Sequence, residues 1–254
     1  MGEHQHVSKQ FDADLDALLS QVLKMGGLVE QQIIDALAGF ADGRIEALDN
    51  VIRLDHEVNG MEVAVDRECA RIIAKRQPTA RDLRLMMAIT KTITDLERCG
   101  DEAAKIARMA KQIFGRERLQ MPRISDIRTA ADIALGMLRK VLDALARLDA
   151  VAALAVIRED ATIDDEFRSI LRQLITFMME DPRTISMSID IVFIAKAIER
   201  IGDHAKNIAE YVIYIVRGTD VRHTSFEYME KEARFQADER DERDDRDGRD
   251  DSPE

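Results

Sequence analysis

Apolar residues recur along most of this chain every three or four positions, the spacing of a helix face rather than the alternation of a strand. Phe11, Leu15, Leu18, Val22, Val29, Ile33, Leu37 and Phe40 mark a first helix from about Ser8 to Phe40, with Gly26–Gly27 as a candidate kink. After a turn at Ala41–Asp42–Gly43, a second helix runs from about Arg44 to Gln77 on Val51, Leu54, Val58, Met61, Val65, Ile72 and Ile73. Pro78 ends it, and Thr79 is placed to cap the third. That helix spans about Ala80 to Ile113, with Met86, Ile89, Ile93, Leu96, Gly100, Ala103, Ala107 and Ala110 facing inward. Gly115 to Pro122 reads as a polar connection, and then the pattern restarts. A fourth helix (about Ile124 to Leu148), a fifth (about Ala150 to Asp181, stopped by Pro182) and a sixth (about Arg183 to Arg217, stopped by Gly218) repeat the plan. The remainder, from Thr219, is expected to fray into a tail.

The expected fold is therefore all-α: two tandem, sequence-related antiparallel three-helix bundles with no sheet. The boundaries fall at about residues 8–115 and 122–218, followed by a charged, disordered tail over 226–254.

The duplication is visible in the residues. Between Glu97–Ala107 and Glu199–Ala209, 102 positions apart, seven of eleven residues are identical. Each copy holds Glu-Arg-x-Gly-Asp, and the four-residue spacing puts both carboxylates on one helix face. Counting from the prolines at the turns brings further polar residues level with them. Asp55 lies 23 residues before Pro78 and Asp101 lies 23 after it; Asn59 and Glu97 lie 19 before and after. In the second copy Asp160 and Asp203 lie 22 and 21 residues from Pro182, and Asp164 and Glu199 lie 18 and 17. Each hairpin should thus set one i,i+4 pair opposite another, at the edge of the apolar stripe. Glu62 and Asp66 extend the first line, and Gly100 and Gly202 leave room beside each pair for a helix or ligand.

Composition narrows the function. The chain has 254 residues, 34% of them charged, and a net charge of −12, which argues against sequence-independent nucleic-acid binding. Half of that charge lies in Asp238–Glu254, where ten acidic residues meet four arginines. No apolar run reaches the roughly 20 residues of a membrane span, and Met1–Gln10 lacks the apolar core of a secretory leader. Cys69 and Cys99 lie in helical patterns and read as reduced thiols of a cytoplasmic protein. There is no glycine-rich phosphate loop and no nucleophile–base set, so neither P-loop nucleotide binding nor nucleophilic catalysis is expected.

Oxygen-only clusters suit hard or borderline cations such as magnesium, manganese, calcium or iron. The competing reading is a salt-bridge ladder, with Asp101–Lys105 and Arg98–Glu102 available at i,i+4. Both readings stand on the residues alone. His4 and His6 near the terminus, His56 and His204 read as surface or satisfied core residues rather than ligands, and the twelve Met as core filler.

Leu96–Glu97–Arg98–Cys99–Gly100–Asp101 and Ile198–Glu199–Arg200–Ile201–Gly202–Asp203, with Arg71–Ala80 and Met179–Arg183, resemble the PhoU family of accessory regulators of bacterial phosphate-specific transport. The resemblance covers about Phe11 to Val221 and both motif copies. It implies a non-enzymatic cytoplasmic protein of two three-helix bundles, forming a homodimer. It also implies negative regulation of the phosphate-starvation response. The implied partners are the ATPase subunit of the phosphate ABC transporter and a membrane sensor histidine kinase, so that contact with the membrane is through proteins only. Finally it implies multinuclear metal (iron, manganese, zinc or magnesium) and no organic cofactor. The metal residues it implies are Asp55, Asn59, Glu97 and Asp101 in one copy and Asp160, Asp164, Glu199 and Asp203 in the other. Asn59, where the second copy has Asp164, is a neutral and weaker ligand. The alternative is a carboxylate-bridged di-metal enzyme or metal-storage bundle. Such enzymes use Glu-x-x-His, and Gly100 and Gly202 stand where the His would be.

Overall fold

A computed structural model describes residues 2–78, 80–115 and 125–234. Six long helices account for most of it: α1 (Gly2–Asp42), α2 (Ile45–Arg76), α3 (Ala80–Phe114), α4 (Ser125–Arg147), α5 (Ala150–Glu180) and α6 (Ile185–Arg217). There is no strand among the described residues. Helices α1, α2 and α3 pack on one another, as do α4, α5 and α6.

The turns follow from local chemistry. Gly43, at φ 68°, reverses the chain between α1 and α2. Gln77 takes a left-handed conformation after α2, and its N–H bonds to the carbonyl of Ile73. Asp149 caps α5 by accepting hydrogen bonds from the N–H groups of Val151 and Ala152. Asp181 plays the same part for the short 3-10 helix Pro182–Thr184 that leads into α6. Gly218, left-handed at φ 78°, closes α6. The cap expected from Thr79 and the connection over 116–124 lie outside the described residues.

The two bundles are not separate bodies. The most extensive helix–helix contact in the molecule is between α3 and α6, one from each repeat, and α1 also packs on α4. A single hydrophobic core runs through both halves, from Leu18, Met25 and Ile33 through Ile93 and Leu96 to Leu138, Ile194 and Ile208. Gly26 sits in the second contact. A Cβ there would stand 2.6 Å from a Leu142 methyl, so the glycine admits α4 rather than kinking α1, which continues unbroken to Asp42.

Two expectations need correction. The first helix begins by Gly2, not at about Ser8. The chain after Gly218 does not simply fray: residues 226–234 form a further helical stretch. Val221, Met229 and Ala233 are buried, and Phe226 packs on the core under the Arg158 guanidinium, 5.0 Å from the ring centroid. Arg158 also pairs with Glu230 at 2.6 Å, and Arg217 donates to the Ala233 carbonyl. The acidic stretch from Asp238 onward lies outside the described residues.

Leu138 in α4 is fully buried. Leu138→Ala should destabilise the protein by about 2–5 kcal/mol. The check is the urea midpoint, which should fall while the slope of the transition stays unchanged.

Candidate functional site: two acidic clusters

The α2–α3 hairpin brings Asp55 within electrostatic reach of Glu97 and Asp101, and Asn59 lies one turn further along α2 from Asp55. Burial raises the Asp55 carboxyl above its usual range, and the Asp101 charge raises it further. Arg108, His56 and a hydrogen bond from Gln32 pull the other way. Glu97 is raised too, by burial first and then by Asp101, Glu62 and Asp55. Oδ1 of Asp55 and Oδ1 of Asn59 are buried without a hydrogen-bond partner among the described residues. The nearest cation is the motif's own Arg98, 3.6 Å from Glu97 and 3.5 Å from Asp101. Of the two residues extending the line, Glu62 accepts from the Thr94 hydroxyl at 3.0 Å, whereas Asp66 is exposed.

The α5–α6 hairpin repeats the cluster with different counter-charges. Burial raises the Asp203 carboxyl, reinforced by Glu199, Asp160 and Asp164, against an opposing effect of Lys196. Lys206 donates to Oδ2 of Asp160 and Lys196 to Oε1 of Glu199, each at 2.5 Å. Arg168 stands 3.9 Å from Asp164. The other oxygens, Oδ1 of Asp160 and Oε2 of Glu199, are buried and unpartnered among the described residues. In both hairpins, then, carboxylates crowd one another and leave oxygens unused. That is the donor chemistry of a hard-cation site. The side chains are not drawn into a closed shell, since no three His, Cys, Asp or Glu among the described residues converge to hold an ion.

The glycines beside the clusters serve helix packing. A Cβ on Gly100 would meet Gln32 Oε1 at 3.2 Å and Val58 at 3.3 Å; one on Gly202 would meet Ile163 at 3.0 Å. The salt-bridge ladder forms differently from its expected i,i+4 pairing. Arg98 reaches Asp101 and Lys105 reaches Glu102, both at i,i+3, and Glu102 also receives Arg200 from the other repeat at 3.2 Å. Arg98 and Lys105 are partly exposed, and such pairs contribute little to stability.

His204 is not in a cluster. Its Nδ1 meets Oδ1 of Asp95 at 2.7 Å across the α3–α6 seam, where Asn207 also donates to Asp95 at 3.0 Å. Tyr211 bonds to the same carboxylate, which, after burial, helps raise the Tyr211 hydroxyl above its usual range. Asp95 was not singled out from the sequence because the second copy has Ala197 in its place, so the repeat gives no echo. Its signal was a carboxylate between Ile93 and Leu96, inside an apolar stripe. Cys69 and Cys99 are buried free thiols, and burial pushes the Cys69 thiol up to about 12. His4 and His6 lie in the first turns of α1.

The family profile described as "PhoU domain" matches twice, at residues 22–110 and 127–212. The chain belongs to the PhoU family. It is 47% identical over 230 residues to the phosphate-specific transport system accessory protein PhoU homolog of Pseudomonas putida, covering 90% of this chain and 89% of that one. It is 46% identical over 228 residues to the corresponding protein of Escherichia coli K12, covering 90% and 94%. Among solved structures, PhoU from Pseudomonas aeruginosa superposes with a TM-score of 0.79 at 46% identity, over 82% of this chain and all of that one. The PhoU regulatory protein from Streptococcus pneumoniae gives 0.77 at 29% identity, over 83% and 99%. The two profile matches in one PhoU chain each contain one hairpin cluster.

The raised Asp203 carboxyl has a consequence for stability. The folded protein holds this proton more tightly than the unfolded chain does. The resulting penalty is absent below the ordinary carboxylate value of 3.8 and complete above the raised one. In chelator-treated protein, Asp203→Asn should therefore raise stability at neutral pH by about a few tenths of a kcal/mol. Urea titrations across pH should show that gain shrinking as pH falls toward 3.8.

Proposed function

We propose that this chain is a non-enzymatic accessory regulator of a phosphate-specific transport system, working in the cytoplasm as a negative regulator of the phosphate-starvation response. The observation that carries the reading is 46–47% identity over 90% of the chain to proteins named phosphate-specific transport system accessory protein PhoU. In this reading the protein connects the transporter's ATPase subunit to a sensor histidine kinase by protein–protein contact and acts as a homodimer. No helix among the described residues is long and apolar enough to cross a membrane, which is compatible with reaching the membrane through partners. A partly exposed apolar stripe on α6, Ile185, Ile189 and Phe193 at four-residue intervals, with Met179 exposed near the end of α5, is a surface suited to such contacts.

The acidic clusters supply the second part of the proposal. Asp55, Asn59, Glu97 and Asp101, and Asp160, Asp164, Glu199 and Asp203, would hold iron, manganese, zinc or magnesium. The unpartnered oxygens of Asp55, Asn59, Asp160 and Glu199 support this. A bound cation would supply positive charge that offsets the crowding of the carboxylates. The residues themselves set where that charge acts: each cluster spans two helices, so whatever relieves the repulsion ties α2 to α3, or α5 to α6. In cluster two the Lys206 ammonium already does part of this, joining α6 to Asp160 of α5, while Lys196 answers Glu199 within α6.

Two experiments test the two parts. Deleting the gene in its host should give constitutive expression of phosphate-starvation genes in high phosphate; a normal response would refute the regulator reading. Elemental analysis of untagged protein should find near-stoichiometric or higher metal, lost in Glu199→Ala/Asp203→Ala. No metal in either protein, with both equally folded, would leave the clusters as docking or packing surfaces.

A further inference from the structure

The counter-charges of the two acidic clusters come from different places. In the register of the repeat, Thr94 of the first copy stands where the second has Lys196, Glu62 where it has Phe167, and Ala104 where it has Lys206. In the first copy the Thr94 hydroxyl donates to Glu62 at 3.0 Å. In the second, the Lys196 ammonium lies 5.3 Å from the Phe167 ring centroid and 2.5 Å from Oε1 of Glu199. A carboxylate that extends the cluster is thus exchanged for a ring, and a hydroxyl for an ammonium directed at the cluster. An aromatic face attracts a cation, so Phe167 of α5 helps to hold Lys196 where it meets Glu199.

Lys206 lies about one turn beyond Asp203 on α6, and its ammonium reaches across to Oδ2 of Asp160 on α5 at 2.5 Å. Lys196 lies about one turn before Glu199. The two ammoniums therefore bracket Glu199 and Asp203 along α6, and the charges of both act on Asp203. Each takes one oxygen of its carboxylate and leaves the other. Asp160 and Glu199 are only 9% and 7% exposed, yet Oδ1 of the one and Oε2 of the other have no hydrogen-bond partner among the described residues. Cluster two is thus partly neutralised from within, with buried donor atoms left over. In cluster one Arg98 meets only Glu97 and Asp101, carboxylates of its own helix.

We propose that Lys206, assisted by Lys196, is the resident counter-ion of cluster two: it ties α5 to α6 when no metal is bound and lowers the affinity of the cluster for a divalent cation. This rests on the reading of the clusters as cation sites. Lys206 does for its hairpin what a bridging cation would do, so the metal-free protein keeps that tie. A cation that enters does so against two positive charges. A divalent ion and an ammonium roughly 6 Å apart in water repel enough to lower affinity about tenfold.

The test is titration of the full-length, chelator-stripped protein with divalent manganese, following the free ion by electron paramagnetic resonance. The difference between wild type and Glu199→Ala/Asp203→Ala is the contribution of cluster two. Lys206→Met should tighten that contribution about tenfold, and Lys206→Arg, which keeps the charge, should restore the wild-type value. Lys196→Met should tighten it too, and keeps the test decisive if Lys206→Met does not fold. In chelator, Lys206→Met should melt below the wild type, and saturating manganese should close the gap; a gap that stays open refutes the tie. Unchanged or weaker manganese binding in both Lys206→Met and Lys196→Met, with the wild type binding, overturns the proposal and leaves the clusters as cation sites. No manganese binding by the wild type or by either lysine variant overturns the proposal and the cation-site reading together.

Discussion

Burial of the Asp95 carboxylate between the two halves of the protein is the constraint on which much else depends. A buried carboxylate is costly unless its lone pairs are answered, and breaking such a set by removing one partner costs more than the set was worth. The side chains that answer Asp95 all come from α6: His204, Asn207 and Tyr211. Helix α3 is therefore stable in its observed setting only when α6 lies against it. The repeats share the cost of one seam, and their apolar stripes merge into one core.

The seam sorts the motif residues by direction. Once α3 and α6 face each other, the carboxylates of each Glu-Arg-x-Gly-Asp are left on the flank that meets the preceding helix, α2 or α5. The arginines divide: Arg200 reaches across the seam to Glu102, whereas Arg98 stays against Glu97 and Asp101 of its own motif. The close packing behind each motif, with Val58 against Gly100 and Ile163 against Gly202, fixes the helix rotation that makes this arrangement hold.

Much of this was legible in the residues. Helical periodicity located all six long helices, because amphipathic stripes of thirty or so residues leave little ambiguity. Counting from Pro78 and Pro182 placed both clusters, because antiparallel helices joined by tight turns keep register by simple rise per residue. What could not be read were features with no periodic or repeated signal. Asp95 has Ala197 as its counterpart. The helical stretch at 226–234 is too polar to announce itself; only Phe226, Met229 and Ala233 pack inward. The i,i+4 ion pairs failed for a related reason: Glu102 is drawn toward Arg200 of the other repeat.

The two clusters also differ in a patterned way. Where the second copy has Asp164, Lys196 and Lys206, the first has Asn59, Thr94 and Ala104. The copy with the extra carboxylate is the copy with the extra ammonium groups, both of them in contact with cluster carboxylates. The copy lacking them uses its own Arg98, while the matching Arg200 is engaged across the seam. The two halves thus differ by a compensating set of charges rather than by one residue. A single residue grafted from one half into the other would thus arrive without its counter-ion, and the halves, alike in backbone, are no longer interchangeable in charge.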